Sequence, residues 1–246
     1  MTERPRLDSH LVARGDYPTR ARARDAIRRG CVAVGGAVVT KPGTPVSPQS
    51  PLAIDDPARG YVSRAALKLI AGLDRFGFSP EGRVAMDLGA STGGFCQVLL
   101  ERGAKSVIAV DVGHDQLAPE IAADPRIHRL DGVNARDLTA AVLPEPPDCL
   151  TSDLSFISLR QALPPALDLV AAPAWGLFLV KPQFEVGREG IGKGGRVRDP
   201  AAGLAAAERI ADWLGARPGW RVEGLVPSPI EGGDGNREYL LGARRD

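Results

Sequence analysis

A chain of 246 residues with 43% hydrophobic and 25% charged side chains suits one large globular domain or a small one beside a medium one, and argues against disorder. No apolar stretch reaches the roughly 18–20 residues of a membrane span. The start, MTERPRLDSH, lacks the apolar core of a signal peptide. Three cysteines (31, 96, 149) and three histidines have no metal-ligand spacing, so a cytoplasmic protein without metal or membrane segment is expected. The net charge of +1 hides an asymmetry. Residues 1–60 hold ten Lys and Arg against six Asp and Glu (+4), and the remainder holds twenty-one against twenty-four (−3). A basic head on a mildly acidic body points to a polyanionic partner held mainly by the head.

The head reads as helix, helix, hairpin. RLDSHLVARG sets Leu7, Leu11 and Val12 on one helical face and stops at Gly15. Thr19 is placed to cap TRARARDAIRRG, where Ala23, Ala26 and Ile27 form the apolar stripe and Arg20, Arg24 and Arg28 recur every fourth residue. Like charges at that spacing repel, so the row is expected to face phosphates. CVAVGGAVV predicts a hairpin turning at Gly35-Gly36. The Pro- and Ser-rich KPGTPVSPQSP, residues 41–51, then ends the first unit. The expected division is a domain over 1–58, a linker RGYV over 59–62, and a second domain over 63–246.

From Ser63 a helix is expected over SRAALKLIAGLDRFG, with Ser63 as its cap and Val62 stapling onto Leu67. Strand-like runs VAMDLG, SVIAVDV, RIHRL, DCLTSD and WGLFLVK then alternate with helical runs GFCQVLLERG, HDQLAPEIAAD, ARDLTAAVL and LRQALPPALDLV. That alternation predicts an α/β fold with a mostly parallel sheet covered on both faces. After the helix AAGLAAAERIADWLG, WRVEGLVP and REYLLGAR complete the sheet with an antiparallel edge.

DLGASTGGF, residues 87–95, follows the first of these strands and opens a helix. Its glycines allow close backbone approach to a ligand, and the helix start offers free N–H groups. Asp111 ends the next strand twenty-two residues after Gly89, where an acid can take both hydroxyls of a ribose. The GxxxGG spacing resembles the first motif of S-adenosylmethionine-dependent methyltransferases. Asp87, Gly89, Ala90, Ser91, Thr92, Gly93, Gly94, Phe95, Asp111, Val112 and Asp153 are the candidate cofactor residues. GREGIGKG, residues 187–194, imitates a phosphate-binding loop, but Gly194 stands where a Ser or Thr should hold magnesium and no helix follows. This loop is expected to close over a nucleic-acid backbone instead.

The chain holds five lysines against twenty-six arginines, yet the strand WGLFLV ends in Lys181. A lysine amine can be made neutral, which a guanidinium cannot. Lys181 ends its strand beside Asp153, Lys68 lies on the helix before the sheet, and Glu238 begins the last strand. This order resembles the Lys-Asp-Lys-Glu tetrad of FtsJ-like ribose 2′-O-methyltransferases, with Lys181 as the general base. The Asn/Asp-Pro-Pro-aromatic motif of base-amine methyltransferases and the Pro-Cys pair of pyrimidine-carbon methyltransferases are both absent.

Taken together, RLDSHLVARG, TRARARDAIRRG, RGYVSRAALKL, DLGASTGGF, VDVGHDQL, SDLSFIS, LVKPQFEVG and GNREYLL resemble the TlyA family, two-domain rRNA methyltransferases historically called hemolysin A. The resemblance implies a Rossmann-like class I methyltransferase fold, a seven-stranded sheet with an antiparallel last strand, behind a small α+β S-four-type RNA-binding domain. It implies S-adenosylmethionine as cofactor and 2′-O-methylation of a cytidine in 23S rRNA, in some members also 16S. It also implies Asn134 as an adenine contact and coupling of RNA docking to cofactor affinity through RGYV, where Tyr61 replaces the usual tryptophan. The expected RNA contacts are Arg6, Arg20, Arg24, Arg28, Arg29, Arg59, Arg64, Arg188, Lys193 and Arg196. Without the longer tail of dual-subunit members, a large-subunit substrate is expected. The alternatives are a non-catalytic ribosome assembly factor and a hemolysin-like membrane-active protein.

Overall fold

The computed structural model describes residues 4–246, which form two compact units, one ending at Gly60 and one running from Tyr61 to Asp246. In the first, α1 (Leu7–Ala13) and α2 (Arg20–Arg28) pack on a sheet of β1 (Val32–Val34), β2 (Ala37–Val38) and β3 (Leu52–Ile54). Thr19 Oγ1 accepts the Arg22 N–H at 3.3 Å, closing the start of α2. Leu7, Leu11, Ala23, Ala26 and Ile27 are fully buried and make the core. The hairpin of β1 and β2 turns at Gly35-Gly36. The third strand, β3, is hidden in sequence by the proline-rich segment before it and its three-residue length, and pairs antiparallel with the other side of β1.

The second unit contains α3 (Ala66–Phe76), β4 (Val84–Leu88), α4 (Gly94–Glu101), β5 (Ser106–Asp111), α5 (Pro119–Ala122), β6 (Ile127–Asp131), β7 (Cys149–Ser152), α6 (Leu159–Ala162), α7 (Pro164–Leu169), β8 (Ala174–Val180), α8 (Pro200–Gly215), β9 (Trp220–Pro227) and β10 (Tyr239–Arg245). Its sheet has the order β6-β5-β4-β7-β8-β10-β9. β4 through β8 run parallel, and β10 is antiparallel to both β8 and β9. The central strands are buried along their whole length because helices cover both faces, which is why they read as unbroken apolar runs. The chain leaves β4 in one direction to build β5 and β6, then returns to build β7 and β8 on the other side. The register Leu88↔Val110, Leu88↔Ser152 and Ser152↔Phe178 therefore brings the carboxyl ends of β4, β5, β7 and β8 to one edge, where such folds bind ligands.

Several expected elements differ. α3 begins at Ala66, not Ser63. Ser63 Oγ accepts the Ala65 N–H at 3.2 Å in a preceding turn, and Val62 stands too far back to staple the first helical turn. Residues 114–124 hold only the four-residue α5, and residues 135–143 make two 3-10 turns separated by the extended Leu138. The run LRQALPPALDLV splits into α6 and α7 at Pro164, whose ring and missing N–H interrupt the helical ladder. Lys181 and Glu238 stand one residue outside β8 and β10.

Candidate active site

The turn after β4 is shaped by backbone needs. Gly89 has φ +81°, and a Cβ there would lie 3.1 Å from the Asp153 carbonyl oxygen, so glycine keeps the floor of the turn open. Ser91 has φ +45°, rare for a residue with a side chain, and is held there by its N–H, which donates to Asp111 Oδ2 at 2.8 Å. The other Asp111 oxygen accepts the Gly113 N–H at 2.8 Å. Each carboxylate oxygen accepts one of these bonds and retains a second lone pair.

Three cavities adjoin this edge. The first, about 180 Å³, is lined by Ser63, Ala65, Asp87, Gly89, Ala90, Ser91, Thr92, Gly94, Phe95, Asp153, Ser155 and Lys181. The second, about 330 Å³, lies between the ends of β5, β6 and β7 and is lined by Gly89, Ser91, Val110, Asp111, Val112, Gln116, Val133, Ala135, Asp153, Leu154, Ser155 and Phe156. A third, about 490 Å³, opens beyond Lys181 between Phe156, Gln183, Phe184, Gly194, Gly195, Asp234 and Glu238. Gly93 lines none of these, and a Cβ there would meet Leu117 and Ile121 at 3.0 Å. The Asn134 side-chain oxygen accepts from the N–H and Nε of Arg136, capping a 3-10 turn, and its neighbours Val133 and Ala135 line the second cavity.

Asp87 is 1% exposed, and burial pushes its carboxyl up to about 7 against the opposing hydrogen bonds from Thr151 Oγ1 (2.8 Å) and Cys96 Sγ (3.4 Å). The Cys96 thiol is in turn pushed well up, by burial first and then by the Asp87 carboxyl.

Where the first and third cavities meet, four charged side chains alternate in sign. Glu238 Oε2 lies 2.6 Å from Lys68 Nζ. Lys68 Nζ is 3.9 Å from Asp153 Oδ2, and Asp153 Oδ1 is 2.6 Å from Lys181 Nζ. Lys68 and Glu238 are 5% and 2% exposed, so each must have its partner to be tolerated there. The Asp153 carboxylate thus stands between the two lysines. Lys181 Nζ also contacts Ser155 Oγ at 2.8 Å. The loop carrying Ser155 is tied to the exit of β8 by Glu185, which accepts from Ser158 Oγ (2.6 Å) and the Leu159 N–H (2.8 Å). Burial raises the Glu185 carboxyl.

The basic residues sort by partner. Arg24 and Arg28 on α2, and Arg188 and Lys193 in the loop after β8, are exposed, and their side chains make no hydrogen bond or ion pair among the described residues. Arg6 and Arg20 are exposed but both pair with the buried Asp8, and Arg59 pairs with Asp16. Burial disfavours the Asp8 charge, yet the two guanidiniums outweigh it and bring its carboxyl down to about 2. Arg29 is partly buried and bridges Asp25 (2.8 Å) and Asp56 (2.9 Å), tying the unit internally. Arg196 donates to the Asp234 carbonyl at 2.8 Å, and Arg64 is half-buried. Ser63, Ala65, Gln116, Val133, Leu154, Ser155 and Phe156 were missed. Of these, Ser155 had a signal: it stands two residues after Asp153 in the loop leaving a central strand.

The fold and the loop after β4 define a methyltransferase of the FtsJ-like class, whose profile matches residues 61–245, and the S4 domain profile matches residues 5–50. The chain is 43% identical to the 16S/23S rRNA (cytidine-2′-O)-methyltransferase TlyA of Mycobacterium tuberculosis, over 99% of this chain and 91% of that one. It is 36% identical to hemolysin A of Brachyspira hyodysenteriae over 96% and 98% of the two chains. A solved hemolysin structure from Streptococcus thermophilus superposes with a TM-score of 0.76 at 35% identity, over 100% of this chain and 90% of the other. The chain belongs to the TlyA family. No helix of the described residues is long and apolar enough to cross a membrane, and no group of His, Cys, Asp and Glu among them could hold a metal.

Proposed function

We propose that this protein transfers a methyl group from S-adenosylmethionine to the ribose 2′-hydroxyl of a cytidine in ribosomal RNA, acting in the cytoplasm. The reading is supported by the TlyA relative's activity and by the alternating Glu238–Lys68–Asp153–Lys181 chain at the meeting of two cavities, the observation that carries it. The cofactor, when bound, supplies an electrophilic methyl on a sulfonium. The residues present suit it: an open glycine turn, an Asp111 carboxylate with free lone pairs for a ribose diol, and an apolar slot between Val112, Val133 and Leu154 for a purine. The sulfonium end falls to the cavity over Asp87, Gly89 and Phe95.

In-line methyl transfer requires an aimed acceptor and removal of its proton. Lys181, reaching into both the first and third cavities, takes that proton as an uncharged amine. Asp153 holds the amine, and Lys68 with Glu238 fixes Asp153. RNA is gripped by Arg24 and Arg28 in the head and by Arg188 and Lys193 over the third cavity, with Arg6, Arg20, Arg59, Arg64 and Arg196 at the margins. The division into domains 1–58 and 63–246 joined by RGYV gives recognition and chemistry separate modules.

Lys181→Ala is expected to lower the methylation rate roughly 10²–10⁴-fold, measured by mass spectrometry of nucleosides from treated rRNA, with cofactor affinity retained. A variant that methylates at the normal rate removes the base. Primer extension on both rRNAs of a deletion strain is expected to show a lost 23S stop, and a lost 16S stop would give it both substrates.

A further inference from the structure

Ser155 borders all three cavities around the site. It is exposed, so an incoming acceptor can reach the same corner. Its Oγ lies 2.8 Å from Lys181 Nζ, and Asp153 Oδ1 lies 2.6 Å from that same nitrogen. Lys181 Nζ is aligned to donate to the Ser155 hydroxyl and, at 3.4 Å, to the Asp153 main-chain oxygen, whereas the Asp153 carboxylate meets it as an ion-pair contact without hydrogen-bond alignment. An uncharged amine has two N–H bonds and one lone pair, so two acceptors from Ser155 and Asp153 use both N–H groups.

We propose that Ser155 is a positioning residue for methyl transfer: its hydroxyl takes one N–H of the Lys181 amine while Asp153 takes the other, and the lone pair is thereby turned toward the acceptor hydroxyl. This rests on the reading of Lys181 as base. In the step, the acceptor oxygen forms its bond to the methyl carbon as the methyl–sulfur bond breaks, its electron pair staying on sulfur. The hydroxyl proton passes to the Lys181 lone pair. Two features hold Ser155 in place: the end of β7 behind it, and the Glu185 carboxylate, which fixes Ser158 and Leu159 ahead of it. The intervening Phe156, at φ +66°, is a backbone conformation that costs free energy and persists only where its surroundings impose it.

The test is steady-state kinetics of Ser155→Ala and Ser155→Thr with calorimetric titration of S-adenosylmethionine. Ser155→Ala is expected to lower kcat about 10–100-fold, because a misaimed group loses that much. KM for RNA and Kd for the cofactor should stay within about twofold, and the threonine variant, which keeps a hydroxyl, should recover most of kcat. An alanine variant with unchanged kcat overturns the proposal. So does one whose loss lies in KM or in cofactor binding, which would make Ser155 a ligand contact. Lys181→Ala, run alongside, separates the two claims: if it keeps the wild-type rate, the base reading has failed, whereas if it loses activity and Ser155→Ala does not, only the positioning role has.

Discussion

Asp87 is a carboxyl beneath the glycine turn whose side-chain partners among the described residues are the uncharged Thr151 and Cys96. Its folded-state value near 7 lies above the ordinary carboxylate value of 3.8, so the folded protein binds the proton more tightly than the unfolded chain. The stability it contributes is complete below pH about 4 and is lost as pH rises through about 7. Asp87→Asn should remove that dependence. Thermal melts between pH 5 and 8 are expected to show the ligand-free wild type losing Tm relative to the variant. A neighbouring position makes a different kind of prediction. Gly89→Ala would force a side chain into a left-handed backbone and against the Asp153 carbonyl, and should abolish measurable cofactor binding in calorimetry while the sheet still folds.

At the scale of elements, what could be read from sequence was whatever burial dictates. β4, β5, β7 and β8 are covered on both faces and gave continuous apolar runs, and α3, α4 and α8 gave apolar stripes of adequate length. The segments at 114–124 and 135–143 were misread because their apolar residues mark isolated turns pressed on the sheet, a pattern too short to fix a period. Lys68, Asp153, Lys181 and Glu238 could be read because each sits at a strand or helix end. The order of contacts among them depends on tertiary register and could not. Asn236 escaped notice for the same reason. It is 4% exposed, accepts the Val197 N–H and donates to the Gly195 carbonyl, both at 2.9 Å, and so clips the basic loop beside Glu238. Asn236→Ala strands these buried groups and should cost about 1–3 kcal/mol in a denaturant melt, with weakened RNA binding in filter assays and cofactor affinity unchanged.

Across the whole molecule, charge is divided between the head and the body, and the exposed Arg24 and Arg28 have no acidic partner among the described residues to compete with phosphate. RNA affinity should therefore fall steeply with salt. The double variant Arg24→Ala, Arg28→Ala is expected to flatten the slope of log K against log salt by about 0.7–0.9 per lost phosphate contact, read by titration at several salt concentrations. The sheet order carries a consequence for synthesis. β10 lies between β8 and β9, so β9, although made earlier, has no edge to join until the final strand arrives. The ion pair between Lys68 and Glu238 closes a span of 170 residues, joining the first helix of its unit to the threshold of the last strand. A growing polypeptide thus holds every residue of the glycine turn well before Glu238 is made and can meet Lys68.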